Sequence, residues 1–496
     1  MKNEIYSTDS NKSLLGVYFS LLLEYNFTDI KIILSERIFD MIIDDVIKSA
    51  KRIHFIGIGG SGMCPLAEIL HAQGHYLTGS DNNESDTLKR IRALGIPVTM
   101  GQKAENVEGA DMVVYTAALL PDNPELVAAK ESGIPTFERS KLFGYFTRKY
   151  DNCIGVCGTH GKTTVTSMLT HILIDNDFDP SAVIGGKLPL TGTNGRVGKS
   201  DILVCEACEY KDTFLDLTPD ISVILNVDQD HMEYFKTLEN LEASFRKFAD
   251  MSTKAVIYNG DDQNTLDSIK GIADGKTMIS FGRNETCKYV AKNIGYNNGA
   301  FPCYDLYIDG DLKTRIELSV PGEHNVLNSL AAIASAMYCG ASVEQCKNSI
   351  LSFKGAGRRF EFLGTYNGAD IVDDYAHHPA ELEVTLSAAK KMDYKRVWAV
   401  FQPFTFSRTK MHLNAFAEAL SIADKVVMTE IMGSREINTY GITTQDLADE
   451  IDGSVWFDTF PKVADYLKEN ISEGDLVLTL GCGDVYKIAK IILNKD

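Results

Sequence analysis

The tightest constraint on what this chain can fold into is the run Gly158-Thr159-His160-Gly161-Lys162-Thr163. Ahead of it stands Cys153-Ile154-Gly155-Val156, short and apolar as a buried strand is. Behind it, Val165 to Ile174 carries apolar residues at helical spacing. Strand, glycine turn, Gly-Lys-Thr and helix together predict a phosphate-binding loop, whose backbone N–H groups converge on anionic oxygens. Lys162 is expected on the β/γ oxygens of a nucleotide, and the Thr163 hydroxyl on Mg²⁺. The standard pattern has a glycine where Val156 stands here, and Gly155 comes one residue early. The order of elements still points to an enzyme that uses ATP.

A length of 496 residues suggests about three domains. Acidic residues outnumber basic ones, 68 to 49, for a net charge of −19, which argues against nucleic acid or an anionic membrane surface as partner. An anionic substrate must therefore be met by local cations and backbone N–H groups. Ten cysteines lie scattered without a disulfide framework, so a reducing cytoplasm is expected. Cys205 and Cys208 have CxxC spacing, but the run Ile202-Leu203-Val204-Cys205 reads as a buried strand in which cysteine is a small apolar residue. No apolar stretch reaches the length of a membrane span, and no secretory signal opens the chain. Residues 1–50 read as an N-terminal extension, with Met41 a possible alternative start.

A first domain is expected over 51–150. The strand Ile53-His54-Phe55-Ile56 leads into Gly57-Ile58-Gly59-Gly60-Ser61-Gly62 and a helix from about Cys64. A second strand, Tyr76 to Asp81, ends in Ser80 and an acid. Further strands are expected at Ile96–Thr99, Met112–Tyr115 and Pro135–Thr136, giving a parallel, doubly wound sheet. The glycines satisfy G-x-G-x-x-G, with Asp81 at the usual interval, as in a dinucleotide site. What the motif guarantees is a diphosphate on a helix N-terminus, so NAD and a nucleotide-diphosphate sugar both stay open.

The second domain is expected over 151–357. Two of its strands end in groups suited to Mg²⁺: Glu206 after Ile202–Cys205, and His231 after Ile221–Leu225. Segments Cys303–Ile308 and Thr314–Ser319 alternate and predict a small antiparallel patch. Asn325 and Asn328 share one face of the helix that follows. The third domain, 358–496, is again α/β. Its strands lead into Asp374-Tyr375-Ala376-His377-His378-Pro379, Gln402 to Thr409, and Gly481-Cys482-Gly483-Asp484, all on the ligand-binding edge of the sheet.

Taken in order, these motifs resemble those of the Mur ligases, ATP-dependent amide-forming enzymes of peptidoglycan synthesis. The resemblance runs from about Lys51 to the C-terminus. It rests on His54 to Gly60, Gly158 to Thr163, Glu206-Ala207-Cys208-Glu209, Asp230-His231, His324 to Asn328, Gly357-Arg358-Arg359-Phe360 and Asp373 to Pro379. It implies an α/β chain of three domains: an N-terminal Rossmann-like UDP-sugar domain, a central P-loop ATPase-like domain, and a C-terminal Rossmann-like amino-acid domain. Gly57, Gly59, Gly60, Ser61 and Gly62 would then hold a diphosphate, with Ser80 and Asp81 near the uridine. ATP would meet Gly158, Thr159, His160, Gly161, Lys162, Thr163, Thr164, Asn325, Asn328, Arg359 and Asp374. Lys162, Glu206 and His231 would be catalytic, with Thr163, Glu206 and His231 as Mg²⁺ ligands and His377 and Arg408 near the amino acid. The double histidine and the Ile-Gly-Ile-Gly-Gly opening are similar to the member that adds L-alanine to UDP-N-acetylmuramate. Phe404 stands where many such members have histidine, so another amino acid or a peptide stays open as acceptor.

Overall fold

The computed structural model describes residues 43–116, 119–272, 274–434 and 436–495. Three sheets organise them. The first has five parallel strands in the order Val98–Met100, Tyr76–Asp81, Arg52–Ile56, Met112–Tyr115 and Thr136–Glu138. Arg52–Ile56 is buried nearly throughout, as the middle strand of a parallel sheet must be. Its neighbours leave in opposite directions, so the crevice of the sheet opens at its C-terminal end, where the first glycine loop begins.

The second sheet has ten strands. Its middle is parallel, with Asn152–Cys157 between Ile221–Ile224 and Ile202–Glu206. The strand order again reverses at the strand that feeds the glycine turn. One edge is antiparallel and built from Tyr289–Asn297, Phe301–Ile308 and Asp311–Glu317, the patch expected from sequence. The third sheet has six strands, five of them parallel, with Asp475–Leu480 between Ala369–Asp374 and Arg396–Phe401.

The cores divide unevenly. One continuous apolar cluster joins Phe55 of the first sheet and Leu70 of the helix after its glycine loop to Phe146, Phe214, Phe245 and Phe248 beneath the second. The third sheet has clusters of its own on its two faces. Shared apolar burial fixes the first two units to each other, whereas the third meets them across polar surfaces and cavities.

The extension drawn over 1–50 needs correction at its end. Residues 43–49 are helical, and Ile43, Ile47 and Ala50 are buried in the shared core. Asp44 accepts a hydrogen bond from the Arg148 guanidinium at 2.7 Å. These residues belong to the body; residues 1–42 lie outside the described part of the chain.

Candidate active site

The phosphate loop is held from three sides. Gly158 and Gly161 have φ of +144° and +87°, the left-handed region that glycine tolerates. A Cβ on Gly161 would also sit 2.6 Å from Asn328 Oδ1. Asn226, just past the neighbouring strand, accepts the His160 N–H at 2.8 Å and donates to the His160 carbonyl at 3.1 Å. The helix Lys162–Asp175 starts at the end of the turn, its first N–H groups aimed at the site.

Two carboxylates three residues apart divide the work around this loop. Glu209, almost fully buried, pairs with Lys162 Nζ through both oxygens at 3.0 and 2.9 Å. Burial pushes the lysine down, but the Glu209 charge and hydrogen bond, joined by Cys208 and Glu206, together prevail and hold the ammonium above its ordinary value. Glu206 accepts from Thr163 Oγ1 at 2.9 and 3.0 Å and from the Gly185 N–H at 2.7 Å. A Cβ on Gly185 would come within 2.5 Å of that carboxylate, so the close approach needs glycine.

Two cavities meet here. The first, about 420 Å³, lies between the second and third sheets. His160, Gly161, Thr163 and Thr164 line one side, Asn325 and Asn328 another, and Arg359 and Asp374 a third. Asp374 is buried and accepts N–H groups of Phe360 and Ala376 at 2.7 and 2.8 Å. Burial outweighs Arg359 and those bonds and raises its carboxyl to about 6. Glu381 reaches from the third sheet to within 3.9 Å of the His160 ring. Burial favours its neutral form, but the charges of His377 and Arg359 prevail and hold it below the ordinary carboxylate value.

The second cavity, about 1090 Å³, runs from the glycine loop of the first sheet to Gly185 and Glu206. Gly57, Gly59, Gly60, Ser61, Gly62 and Asp81 line it. Asp81 closes the loop by accepting the Gly59 N–H at 2.9 Å. Ser80 departs from expectation: it is fully buried beneath the loop, lines neither cavity, and donates to Glu125 at 2.6 Å. A small side chain facing the interior of a parallel sheet has no path to the crevice.

His231, His377 and Arg408 also line neither cavity. His231 has φ of +55°, and its ring packs on Tyr210 with centroids 4.6 Å apart. Among the described residues no cluster of three or more His, Cys, Asp or Glu is arranged to hold a metal. Thr163 and Glu206 are brought together by a hydrogen bond, while the His231 ring stands against Tyr210 and 3.7 Å from Asp230. His377 is pushed below its ordinary value by burial and then by Arg408, although Glu381 opposes this, so the two amino-acid candidates do share one neighbourhood. Phe404 bridges to Met432 ahead of the helix that carries Arg408. Sequence reasoning assigned no role to Glu209, Asn226, Gly185 or Glu381. Glu209 alone left a signal, as the second acid of Glu206-Ala207-Cys208-Glu209.

A nucleotide cleft and a glycine-loop cleft that share one hydroxyl–carboxylate pair define a class, and the comparisons agree with it. Family profiles match in chain order: the Mur ligase family catalytic domain over 52–151, the Mur ligase middle domain over 156–336, and the Mur ligase glutamate ligase domain over 358–483. The chain belongs to the Mur ligase family. Within it, a UDP-N-acetylmuramate–L-alanine ligase of Caldanaerobacter subterraneus subsp. tengcongensis is 44% identical over 452 residues, covering 90% of this chain and 98% of that one. The enzyme of the same name from Acetivibrio thermocellus is 42% identical over 450 residues, covering 89% and 96%. Among solved structures, the UDP-N-acetylmuramate-alanine ligase of Thermotoga maritima superposes with a TM-score of 0.78 at 28% identity, covering 89% of this chain and 98% of that one. A murein peptide ligase from Psychrobacter arcticus shares the fold, with a TM-score of 0.71 at 23% identity over 90% and 98% of the two chains.

Proposed function

We infer that this chain is an ATP-dependent ligase that joins L-alanine to the lactyl carboxylate of UDP-N-acetylmuramate, an early step of peptidoglycan precursor synthesis. The observation that carries the reading is the Thr163–Glu206 contact, because each partner lines a different cavity. ATP in the first cavity places its γ-phosphate at the N-terminus of the helix Lys162–Asp175. The sugar nucleotide in the second, its diphosphate on Gly57 to Gly62, directs its carboxylate end toward Glu206. That carboxylate attacks the γ-phosphorus; an O–P bond forms, the β–γ bridge breaks, and ADP leaves with the electron pair. The free amine of L-alanine then attacks the acyl carbon. A C–N bond forms, phosphate leaves, and the amine proton passes to solvent.

Both steps gather negative charge, and Lys162 and the loop N–H groups offset it. Glu209 keeps Lys162 charged and aimed. The oxygen donors Thr163 and Glu206 suit a hard divalent cation, and Mg²⁺ bound there neutralises phosphate charge. The imidazole of His231, packed on Tyr210, is the weaker part of the expected ligand set. Closure of the third domain, which carries Arg359 and Asp374, excludes water from the acyl phosphate. His377 and Arg408 are proposed to receive the amino acid, and a cytoplasmic location follows from ATP and the UDP-linked substrate. No helix among the described residues is long and apolar enough to cross a membrane.

The test is phosphate release from ATP with UDP-N-acetylmuramate and Mg²⁺, with L-alanine, glycine, L-serine or a short peptide as acceptor. Release that depends on L-alanine is expected. Release only with the peptide would assign the chain to peptide addition, and release only with glycine or serine would tie Phe404 to a changed acceptor.

A further inference from the structure

The glycine-loop cavity presents a charge problem. Its described lining includes Asp81, Asp122 and Glu206, all acidic, yet the ligand inferred for it carries a diphosphate and a carboxylate. Backbone N–H groups of the loop supply only partial positive charge. Among the described lining residues the one basic side chain is Arg139. It stands at the first position of the helix Arg139–Thr147, about eighty residues beyond the loop in sequence.

Arg139 is conspicuous for what it does not do. The other arginines that hold the fold together are engaged: Arg148 with Asp44 at 2.7 Å, Arg90 with Glu68 at 2.6 Å, Arg358 with Asp373 at 2.8 Å. The Arg139 side chain makes no hydrogen bond or ion pair among the described residues. Its guanidinium lies over the end of the glycine loop, where a Cβ on Gly62 would come within 3.0 Å of Nη1. Burial lowers its proton affinity, and the nearby Cys208, Glu138 and Glu206 offset this only partly. The half-buried fork lines the cavity wall without an internal partner, so its donors are open to a ligand there. The guanidinium plane matches paired phosphate oxygens, and a bidentate pair supplies direction as well as charge.

We propose that Arg139 is a substrate-binding residue that grips the diphosphate of the sugar nucleotide against the glycine loop. The inference rests on the functional reading above and assigns that site the full positive charge its loop lacks. Gly62 then has a second duty beyond backbone geometry, since it leaves room for the guanidinium.

The experiment measures binding of UDP, uridine and UDP-N-acetylmuramate to the full chain by calorimetry, for wild type, Arg139→Gln and Arg139→Lys, with steady-state kinetics alongside. The expected result is a loss of about 10- to 100-fold in UDP affinity for Arg139→Gln, with uridine binding unchanged. KM for UDP-N-acetylmuramate should rise by a similar factor, while kcat and the KM for ATP stay within about threefold. Arg139→Lys should recover part of the loss, because it keeps the charge but not the fork. Unchanged UDP affinity in Arg139→Gln would overturn the proposal. So would a loss confined to UDP-N-acetylmuramate, which would move the guanidinium from the diphosphate to the carboxylate. Thermal unfolding of the ligand-free variants separates these results from misfolding, and if Arg139→Gln fails to fold, Arg139→Lys decides. A wild type that neither binds UDP nor turns over UDP-N-acetylmuramate would sink the functional reading itself.

Discussion

Two glycine loops built on the same plan handle charge in opposite ways. Each follows the middle strand of a parallel sheet at the point where strand order reverses, and each opens a helix. In the central loop the cation is local: Lys162 starts the helix and is fixed by Glu209 at 2.9 Å. In the N-terminal loop there is no cation, and the only basic neighbour described is Arg139, whose side chain has no hydrogen-bond or ion-pair partner among the described residues. The first arrangement is set before any ligand arrives and suits chemistry, where a transition state must be met without rearrangement. The second leaves a donor fork for the ligand to complete and suits binding.

The widest separation between the loops should come from their cations. Lys162→Ala is expected to lower phosphate release by at least about 10³-fold. UDP affinity should stay within about twofold, because the cavity proposed for UDP is the other one. Residual turnover near the wild-type rate would show that the central loop does not hold the transferring phosphate.

Glu209→Gln probes how each cation is supported. It leaves a buried ammonium facing a neutral amide and should cost about 3 kcal/mol in urea unfolding. Arg139→Gln breaks no internal bond and should stay within about 0.5 kcal/mol of wild type. Equal losses would erase the distinction drawn between the two loops.

Only the central loop faces a titrating acid of the third sheet. The Asp374 carboxyl is raised to about 6 in the folded chain, against an ordinary 3.8. Its proton therefore favours the fold below about pH 4, and that contribution is lost as pH rises through 6. Unfolding free energies of wild type and Asp374→Asn should diverge in favour of the variant, by up to about 3 kcal/mol, between pH 4 and pH 8. A constant difference would mean that the acid is ionised throughout.

The smallest effects concern the glycines. Gly161→Ala forces an alanine to φ of +87° and against Asn328, and should destabilise by about 1–2 kcal/mol. Gly62→Ala meets only the end of a flexible arginine and should cost less than 1 kcal/mol. It should still raise the KM for the sugar nucleotide several-fold. Identical behaviour of the two variants would remove the role given to Arg139 over Gly62.

What could be read from sequence followed the length scale of the interaction. Both loops were visible because strand, turn and helix are contiguous, and a glycine with positive φ leaves its mark in the residue itself. The antiparallel patch showed in the alternation of Cys303–Ile308. Glu206 was found because it ends a strand beside the loop. Glu209 was passed over because its partner lies 47 residues away and nothing local shows which of two acids turns toward it. Asn226 and Arg139 act across folds of the chain that only the packed sheets bring together. The opposite error occurred at Ser80, whose place next to Asp81 suggested a ligand contact, while the alternation of strand side chains sends it inward to Glu125. The end of the extension was drawn at residue 50 because the first motif begins just after it, yet Ile43 and Ile47 ahead of that motif are core.

The wall shared by the two clefts carries a practical lesson for inhibitor design. Thr163 lines the first cavity and touches Glu206, which lines the second, so one hydrogen bond separates the two compartments. A single synthetic molecule joining a mimic of the terminal phosphate to a mimic of the sugar's carboxylate end would need only a short tether at that point, and the tether would pass beside the Glu206 carboxylate. A cationic or hydrogen-bond-donating link should fit there, whereas an anionic one would be repelled by the glutamate that stands in the wall.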